Sequence, residues 1–295
     1  MQKKPDESEL TIIVPIHNIS SRTVNLRMWL RDAIATNIKV ILVHDRSEDD
    51  TAFEINNIIE EMESPLISLI NVGVESPGLS RNQGLALVDT PWFSFADADD
   101  FVEINNLVKL LSETKFSRSE IGIGSYRETN LKTKVTRNVV PPKKNLNNLA
   151  LHLALKMGLW RMIFKTESFR KIVFPSNRMG EDYIYLGYIL NFSSKILVSE
   201  ILVYVYLKEG DFSLTSNRSV MFDMIDILKK RKKLEVNGDL GKKFKIYCEQ
   251  KLAISILKNV ELYRLKGEFK ILILTLISHP RMLLSLLLFY VFDGA

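Results

Sequence analysis

The sequence of 295 residues has one cysteine, Cys248, and its first ten residues, MQKKPDESEL, contain no apolar segment of the kind found in secretory signals. A single cysteine excludes an intrachain disulfide, and with it the disulfide frameworks of small secreted domains. The sequence also has no internal repeat, which excludes a repeat array. These absences predict a globular protein of the reducing cytoplasm.

Apolar runs long enough to cross a bilayer are also missing. Residues 271–278 and 282–292 are apolar, but as helices they reach only about 12 and 16 Å, against a bilayer core of about 30 Å. Joined, they would place Pro280 and Arg281 near the midplane, where both are unfavourable. We therefore expect a helical hairpin lying in the membrane interface. The alternative is an internal helix pair, packed on the rest of the chain or on a partner in a homo-oligomer.

The net positive charge of the chain comes from its C-terminal part. Residues 218–270 hold 14 Lys and Arg against seven Asp and Glu, a local charge of +7 that leaves −2 for the rest of the chain. Such a segment suits nucleic acid, an acidic polymer or an anionic membrane surface, and the alternative is a solvated helix face. Beside the apolar hairpin, we expect an anionic membrane surface at the inner face of the cell membrane, and no nucleic acid.

Length and composition predict one large domain and a smaller appendage, because 46% of the residues are hydrophobic and domains usually have about 100–200 residues. We place an α/β domain at residues 1–217 and a helical region at 218–295. In the first hundred residues, short β-branched runs alternate with helical patterns. This alternation predicts a mostly parallel, Rossmann-like sheet flanked by helices. The expected strands are 10–16, 38–44, 66–72 and 91–96, and the expected helices are 24–36, 49–63 and 78–88, the second capped by Ser47.

The pattern changes after Asp100. Residues 128–148 are polar and contain Pro141-Pro142, which favours a mobile connection. From residue 218 onward only helical periodicity is found. The other expected elements are helices at 103–115 and 183–192, strands near 120–127 and at 196–207, and a polar loop at 208–217.

Carboxylates follow two of the predicted strands directly. Asp45 follows the second strand, and Asp97, Asp99 and Asp100 follow the strand at 91–96. Because parallel strands end at one edge of the sheet, these side chains are expected in one cleft. Carboxylates packed this closely are best tolerated around a cation, and oxygen ligands favour Mg²⁺ or Mn²⁺. The alternative is that these carboxylates belong to ordinary loops and helix caps.

Six segments occur in an order that resembles glycosyltransferase family 2. The family pattern is a first strand ending in VPxYN, a second ending in two carboxylates and Gly-Ser, then Arg-Asn-x-Gly, Asp-x-Asp and Glu-Asp. The resemblance covers roughly residues 10–216 and implies a GT-A fold. The segments are VPIHN (14–18), VHDRSEDDT (43–51), GLSRNQGL (78–85), FADADD (95–100), LWRMIF (159–164) and GEDYIYL (180–186).

The resemblance implies a nucleotide-sugar donor, most often a UDP-sugar, bound with Mn²⁺ or Mg²⁺. Pro15 and His17 would line the pocket of the base, and Asp45 would accept a hydrogen bond from the base. Arg81 would approach the nucleotide. The same resemblance implies that Asp97 lies near the ribose and the metal, and that Asp99 binds the metal.

The resemblance also implies an inverting transfer to a saccharide or lipid-linked acceptor in cell-surface polysaccharide synthesis. Asp182 would take the proton of the acceptor hydroxyl, and Glu181 would support the acceptor side. Taken alone, both carboxylates are also typical of the start of a helix.

The sequence departs from the family pattern in the second segment and beside it. His44 replaces the first carboxylate of the usual pair, His17 replaces an aromatic residue, and Arg46 replaces a glycine. The loop at 208–217 resembles the family's flexible lid through Ser213 and Thr215, but has no histidine.

Two other functions therefore remain as alternatives to sugar transfer. A nucleotide-sugar-binding or scaffolding module without catalysis would explain the departures, whereas the presence of Asp97, Asp99 and Asp182 argues against it. A nucleotidyltransferase would use carboxylates and Mg²⁺ as well, but commonly begins with a Gly-rich loop, and VPIHNISSR has no glycine.

Overall fold

A computed structural model of the protein describes residues 7–192, 195–208, 221–259 and 269–292. Contacts between residues divide the chain into two compact units. The predicted domain boundary at residue 217 stays a prediction. Two segments that precede it, residues 142–157 and 177–192, are grouped with the C-terminal helices. The first unit comprises residues 1–141, 158–176 and 193–210, and the second comprises 142–157, 177–192 and 211–295.

Four parallel strands form one half of the sheet in the first unit, in the order β3-β2-β1-β4. The short apolar runs of the first, second and fourth strands are buried on both faces, as is typical of parallel strands, whereas the third strand, at the end of the strand order, is partly exposed. All four strands predicted from the sequence are confirmed within one residue at each end. They are β1 (Leu10–Ile16), β2 (Lys39–Asp45), β3 (Ile67–Val72) and β4 (Trp92–Phe95).

Three helices connect these strands: α1 (Val24–Ala35), α2 (Thr51–Met62) and α3 (Pro77–Ala86). Alternate residues of a strand point to opposite faces of the sheet. On one face, Ile12 and Leu42 belong to the cluster that includes apolar residues of α1 and α2. On the other face, α3 lies so close that a Cβ on Gly84 would be 2.5 Å from the side chain of Ile13. Helices therefore cover both faces.

The other half of the sheet is mixed, and within the described residues it completes nine strands in the order β3-β2-β1-β4-β8-β6-β9-β5, with β7 paired to β6. The β4-β8, β8-β6 and β9-β5 pairs are antiparallel, and the β6-β9 pair is parallel. The parallel arrangement predicted from the sequence thus holds for the first four strands. The remaining elements of this unit are β5 (Phe101–Val102), α4 (Ile104–Phe116), β6 (Ile121–Asn130), β7 (Thr136–Val139), β8 (Met162–Lys165), α6 (Thr166–Phe169) and β9 (Ile196–Lys208).

The polar stretch predicted as a mobile connection instead forms a hairpin of β6 and β7, and this prediction was wrong. The Asn130 side chain accepts hydrogen bonds from the backbone N–H groups of Lys132 and Thr133, both 2.9 Å, which stabilises the turn. The hairpin was missed because residues 127–130 of β6 and 136–138 of β7 are exposed or half-buried, so that their side chains do not alternate between apolar and polar.

The second unit is helical, as the pattern after residue 218 predicts. Helix α9 (Asp239–Asn259) contacts each of the other described helices of this unit. The core between them includes Ile184, Ile227 and Ile256. The predicted loop at 208–217, including Ser213 and Thr215, lies outside the described residues apart from Lys208. The helices are α5 (Leu146–Leu155), α7 (Glu181–Phe192), α8 (Met221–Lys233), α9 (Asp239–Asn259), α10 (Phe269–Ile277) and α11 (Pro280–Phe292).

Candidate active site

The candidate site lies at the carboxyl edge of the parallel strands in the first unit. Parallel pairing of β1 with β2 and β4 brings the residues that follow these strands to one edge. The structure thus gathers six of the eight predicted site residues there: Pro15, His17, Asp45, Arg81, Asp97 and Asp99. Pro15 lacks the N–H of a ladder hydrogen bond, and it fits here because the β1-β4 pairing ends at Ile13.

Asp45 is buried and holds the loop after β3. Its carboxylate accepts hydrogen bonds from the backbone N–H groups of Val74 (2.9 Å) and Ser76 (3.2 Å) and from the hydroxyl of Ser80 (3.1 Å). Burial alone would raise the pKa of Asp45, but hydrogen bonds from Glu75, Val74, Ser80 and Ser76 together hold it below the ordinary value. Asp45 is therefore a charged anchor of this loop. The contact with the base implied by the family stays a prediction.

Two histidines beside Asp45 have defined hydrogen bonds. His17 Nδ1 lies 2.7 Å from the backbone carbonyl of Asp45, and because a carbonyl only accepts, Nδ1 donates this hydrogen bond. The side chain of His44 is buried and joins Asn71 Oδ1 (2.9 Å) to Ser47 Oγ (3.0 Å). His44 thus contacts two neutral polar side chains, at a position where the family pattern that the sequence resembles has a carboxylate.

The predicted helix cap at Ser47 was wrong. Ser47 Oγ instead accepts a hydrogen bond from the backbone N–H of Asn18 (3.1 Å) and contacts His44. At the start of α2, Asp49 accepts from the Thr51 N–H (3.0 Å) and also from the Ser20 N–H (3.1 Å). Both side chains therefore tie the segment after β2 to the segment after β1. That link between two strand ends was not predicted from the sequence.

Asp97 and Asp99 lie in the turn after β4, and each pairs with an arginine. Arg81, buried in α3, donates to Asp97 Oδ1 at 2.9 Å, and its guanidinium lies 5.6 Å from the ring centre of Phe174. Arg22, in a 3₁₀ turn at Ser20–Arg22, pairs with Asp99. The two carboxylates are 33% and 36% exposed, so they can meet a ligand. Two anions and two cations thus surround one exposed turn.

Asp100, next in the chain, is buried behind this turn. Its carboxyl group accepts hydrogen bonds from the hydroxyl of Tyr204 (2.9 Å) and the backbone N–H of Leu207 (2.7 Å). The Tyr204 hydroxyl in turn accepts from the backbone N–H of Asp97 at 3.0 Å. Burial, followed by the charges of Asp99 and Asp97, raises the pKa of Asp100 well above its ordinary value. Tyr204 thereby joins β9 to the turn that carries the exposed carboxylates.

Aromatic stacking fixes Tyr204 in turn. Its ring lies 4.2 Å from that of Trp160 and nearly parallel to it, at 17°, and Tyr206 stacks on Trp160 at 5.8 Å. Tyr126 meets Trp160 edge-on at 4.7 Å, and the guanidinium of Arg161 lies 5.2 Å from the Tyr126 ring centre. Burial lowers the pKa of Arg161 to about 10. The stacked rings around Trp160 therefore hold Tyr204, and through it the acidic turn, in a fixed position.

Arg46 lies where the family has a glycine, and its backbone has a positive φ of 22°. Its exposed side chain covers Gly73, where an added Cβ would be 2.6 Å from Arg46 Nε. Gly73 therefore leaves the space that the Arg46 side chain occupies. The pair lies beside Asp45, at the edge of the predicted base pocket.

The exposed pair of carboxylates fits a divalent cation in part. Mg²⁺ and Mn²⁺ sites commonly use one or two carboxylates and complete their shell with water and substrate phosphates. Among the described residues there is no group of three or more His, Cys, Asp and Glu side chains arranged to hold a metal. Asp97 and Asp99 would therefore hold Mn²⁺ or Mg²⁺ only together with a phosphate-bearing ligand, and Arg22 and Arg81 would compete with the metal.

The other two predicted site residues, Glu181 and Asp182, belong to the second unit. They form the first turn of α7, where the partial positive charge of a helix N-terminus favours carboxylates. Glu181 is buried and Asp182 is partly exposed. Their predicted roles stay predictions.

Sequence reasoning missed Arg22 and Tyr204. Arg22 lies four residues after the VPIHN segment, and its position after a strand end was a usable signal. Tyr204 is separated from Asp100 by more than a hundred residues, and nothing in the local sequence links them.

Comparison with known proteins agrees with this layout. The family described as Glycosyl transferase family 2 matches residues 11–172, which include the acidic turn. Glycosyltransferase GlyA of Streptococcus pneumoniae is 24% identical over 78% of this chain, which spans only 35% of GlyA. An uncharacterised glycosyltransferase of Haemophilus influenzae is 26% identical over 71% of this chain and 82% of its own length.

Solved structures share the fold. Staphylococcus aureus TarS in complex with UDP-GlcNAc has a TM-score of 0.64 and 16% identity, covering 94% of this chain and 79% of that one. The mannosyltransferase PcManGT of Pyrobaculum calidifontis, in complex with GDP-Man and Mn²⁺, has a TM-score of 0.59 and 14% identity, covering 99% and 92%. The predicted GT-A-type α/β fold is thus confirmed. Because the family pattern matches more than half of its length, the chain belongs to glycosyl transferase family 2.

Proposed function

We propose that this protein transfers a sugar from a nucleotide-sugar donor to a hydroxyl group of a saccharide or lipid-linked acceptor, in cell-surface polysaccharide synthesis. The observation that carries the proposal is the turn of Asp97 and Asp99 at the carboxyl edge of the sheet, with an arginine on each carboxylate. Ligands of α/β sheets bind at this edge. The donors held by structures of the same fold, UDP-GlcNAc and GDP-Man, are consistent with it.

The donor would lie across the ends of β1, β2 and β4. Pro15, His17 and Asp45 would surround the base, and Arg81 would approach the diphosphate. Mn²⁺ or Mg²⁺, held by Asp99 and Asp97, would supply positive charge to the departing diphosphate without any proton transfer. Arg22 and Arg81 offer a second source of positive charge near the same phosphates.

In the proposed transfer, the acceptor oxygen attacks the anomeric carbon from the side opposite the nucleotide. The bond from that carbon to the phosphate oxygen breaks, and the nucleoside diphosphate leaves with the electron pair. Asp182 takes the proton of the acceptor hydroxyl, which makes the oxygen a competent nucleophile, while Glu181 contacts the acceptor. In-line attack gives inversion at the anomeric carbon. These roles rest on the resemblance of GEDYIYL to the family pattern.

A panel of nucleotide-sugars tests the proposal. The purified chain is incubated with UDP-, GDP- and other nucleotide-sugars, with Mn²⁺ or with EDTA, and released nucleoside diphosphate is measured. We expect slow hydrolysis of one donor, lost with EDTA and in Asp99→Asn. Asp89→Asn is the matched control, because Asp89 is an exposed carboxylate of the same unit that pairs with Lys39, at the opposite edge of the sheet.

The same panel, extended by nucleoside triphosphates and by measurements of released pyrophosphate and of donor binding, separates the two other functions. A binding or scaffolding module, which the changes at His44 and Arg46 favour, would bind a nucleotide-sugar without releasing nucleoside diphosphate. A nucleotidyltransferase would release pyrophosphate from a nucleoside triphosphate. Either result would contradict the proposed sugar transfer.

A further inference from the structure

Two neighbouring helices of the second unit, α10 and α11, expose large apolar side chains. In each helix these side chains follow the spacing of one helical face. Between 36% and 60% of each is exposed, which leaves an apolar surface across both helices. We call this the apolar stripe; it consists of Ile273, Leu274 and Ile277 on α10 and Leu284, Leu287 and Leu288 on α11.

The opposite faces of both helices are already buried in the second unit. Leu272 belongs to the core that also includes Leu252 of α9, and Leu286 of α11 is fully buried. The side chain of Gln250 on α9 donates to the backbone carbonyls of Leu276 (3.3 Å) and His279 (3.1 Å), which holds the corner between α10 and α11. The apolar stripe is therefore an outer surface rather than a part of the core.

No helix in the described ranges is long and apolar enough to cross a membrane by itself. Ile271–Ile277 and Pro280–Leu288 together meet that requirement of length and composition, but they are bent by 86° at the break between them. Each of the two helices packs one face on α9 and exposes the other, so the bent pair lies on the surface of the second unit.

Basic side chains lie beside the corner of these helices. The last turn of α8 contains Lys230, Arg231, Lys232 and Lys233, and Lys232 and Lys233 are exposed. Lys245 of α9 donates to the backbone carbonyls of Lys232 (3.1 Å) and Leu234 (2.7 Å) at the end of α8, and Gln250, five residues further along α9, holds the corner of α10 and α11. The basic end of α8 and the apolar stripe are thus anchored on neighbouring turns of α9.

We propose that the apolar stripe and the basic end of α8 form a docking surface for an anionic lipid bilayer, with α10 and α11 lying in the interface. Apolar burial and attraction to anionic headgroups are the two contributions that together give stable attachment. A second copy of this chain fits the surface less well. A two-fold interface centred on the stripe would set the stripe of one copy against that of the other, and such an apolar contact makes no use of the basic end of α8.

A fluorescent label on the apolar stripe tests this directly. Cys248 is fully buried and burial raises the pKa of its thiol to about 12, so it reacts slowly and a cysteine introduced at the surface is labelled selectively. Leu284→Cys carries an NBD label, and Phe116→Cys, at a 93% exposed apolar position in the first unit, is the control. Full-length protein is mixed with vesicles of phosphatidylcholine, or of phosphatidylcholine with phosphatidylglycerol.

We expect the NBD emission at position 284 to shift to the blue and to brighten with the anionic vesicles, and much less with neutral ones. The label at position 116 should not change. An unchanged emission at 284 in the presence of anionic vesicles overturns the proposal.

Vesicle sedimentation of unlabelled variants gives a second readout. Leu274→Gln, Leu284→Gln and Leu288→Gln together should weaken binding to anionic vesicles at least about tenfold, because they remove much of the exposed apolar area. The matched control replaces three exposed apolar residues of the first unit, Phe53, Leu87 and Phe116, by Gln and should bind like wild type. If instead the wild type is a dimer that fails to bind vesicles, and the stripe variant is a monomer by sedimentation velocity, the surface belongs to a second copy. All the substituted positions are exposed, so circular dichroism should show unchanged folding.

Discussion

The hydroxyl group of Tyr204 joins the acidic turn to β9, and Tyr204→Phe removes that hydroxyl alone. In the wild type the hydroxyl accepts from the Asp97 N–H at 3.0 Å and donates to Asp100 at 2.9 Å. Phenylalanine keeps the ring and its stacking on Trp160, which is 4.2 Å away. The variant therefore separates the hydrogen-bond link from the aromatic packing.

The expected loss of stability follows from the two groups left behind. A buried polar group without its partner costs about 1–3 kcal/mol. Asp100 is only 2% exposed, so the full range applies to its oxygen, whereas the backbone N–H of Asp97 belongs to a half-buried residue and the low end applies there. Together we expect about 2–4 kcal/mol, a large part of the 5–15 kcal/mol typical of a folded protein. The freed turn should also bind the donor nucleotide more weakly.

Urea denaturation of the wild type and the variant measures the loss, and a titration with the donor nucleotide measures the second effect. Tyr206→Phe is the matched control. Tyr206 also stacks on Trp160, and its hydroxyl makes no hydrogen bond within the described part of the chain. If Tyr204→Phe changes the free energy of unfolding by less than about 0.5 kcal/mol, as expected for the control, the link does not hold the turn.

Three further predictions concern other parts of the two units. Gly84→Ala should destabilise by about 1–3 kcal/mol, because its Cβ would lie 2.5 Å from Ile13 and 3.1 Å from Val43, whereas exposed Gln83→Ala in the same helix should be neutral by denaturation. Because the pKa of Asp100 is raised, the unfolded chain releases the proton of this carboxyl group as pH rises above 3.8, while the folded chain still holds it. The free energy of unfolding should therefore fall as pH rises from 3.8 to the raised pKa of the folded chain. Asp100→Asn should lack this fall; parallel curves of unfolding free energy against pH for wild type and variant would contradict it. Asp182→Asn should lower transfer roughly 10²–10⁴-fold with donor affinity and folding near wild type; retained turnover would rule out the base role.

The parallel half of the fold could be predicted because its information is local. Runs such as IIVPI (12–16) and VILV (40–43) are continuous and apolar, as is typical of strands buried on both faces. The placement of Asp45, Asp97 and Asp99 at one edge then followed from the direction of parallel strands.

The side-chain partners within the candidate site could not be predicted, because they depend on contacts between distant segments of the chain. The Tyr204 link to Asp100 and the pairing of Arg22 with Asp99 arise only when β9 and the turn after β1 meet the acidic turn. Ser47 was expected to cap α2, but the packing of Asn18 and His44 beside it gave its hydroxyl other partners. Local propensity cannot decide between such partners.

We propose that the turn of Asp97 and Asp99 binds the diphosphate of a nucleotide donor together with a divalent cation. Calorimetric titration of UDP and GDP into wild type, Asp99→Asn and Asp89→Asn, each with Mn²⁺ and with EDTA, measures this binding. We expect one nucleotide to bind to the wild type and to Asp89→Asn in Mn²⁺, and at least about tenfold more weakly with EDTA or in Asp99→Asn. Equally tight binding under all of these conditions would contradict the claim.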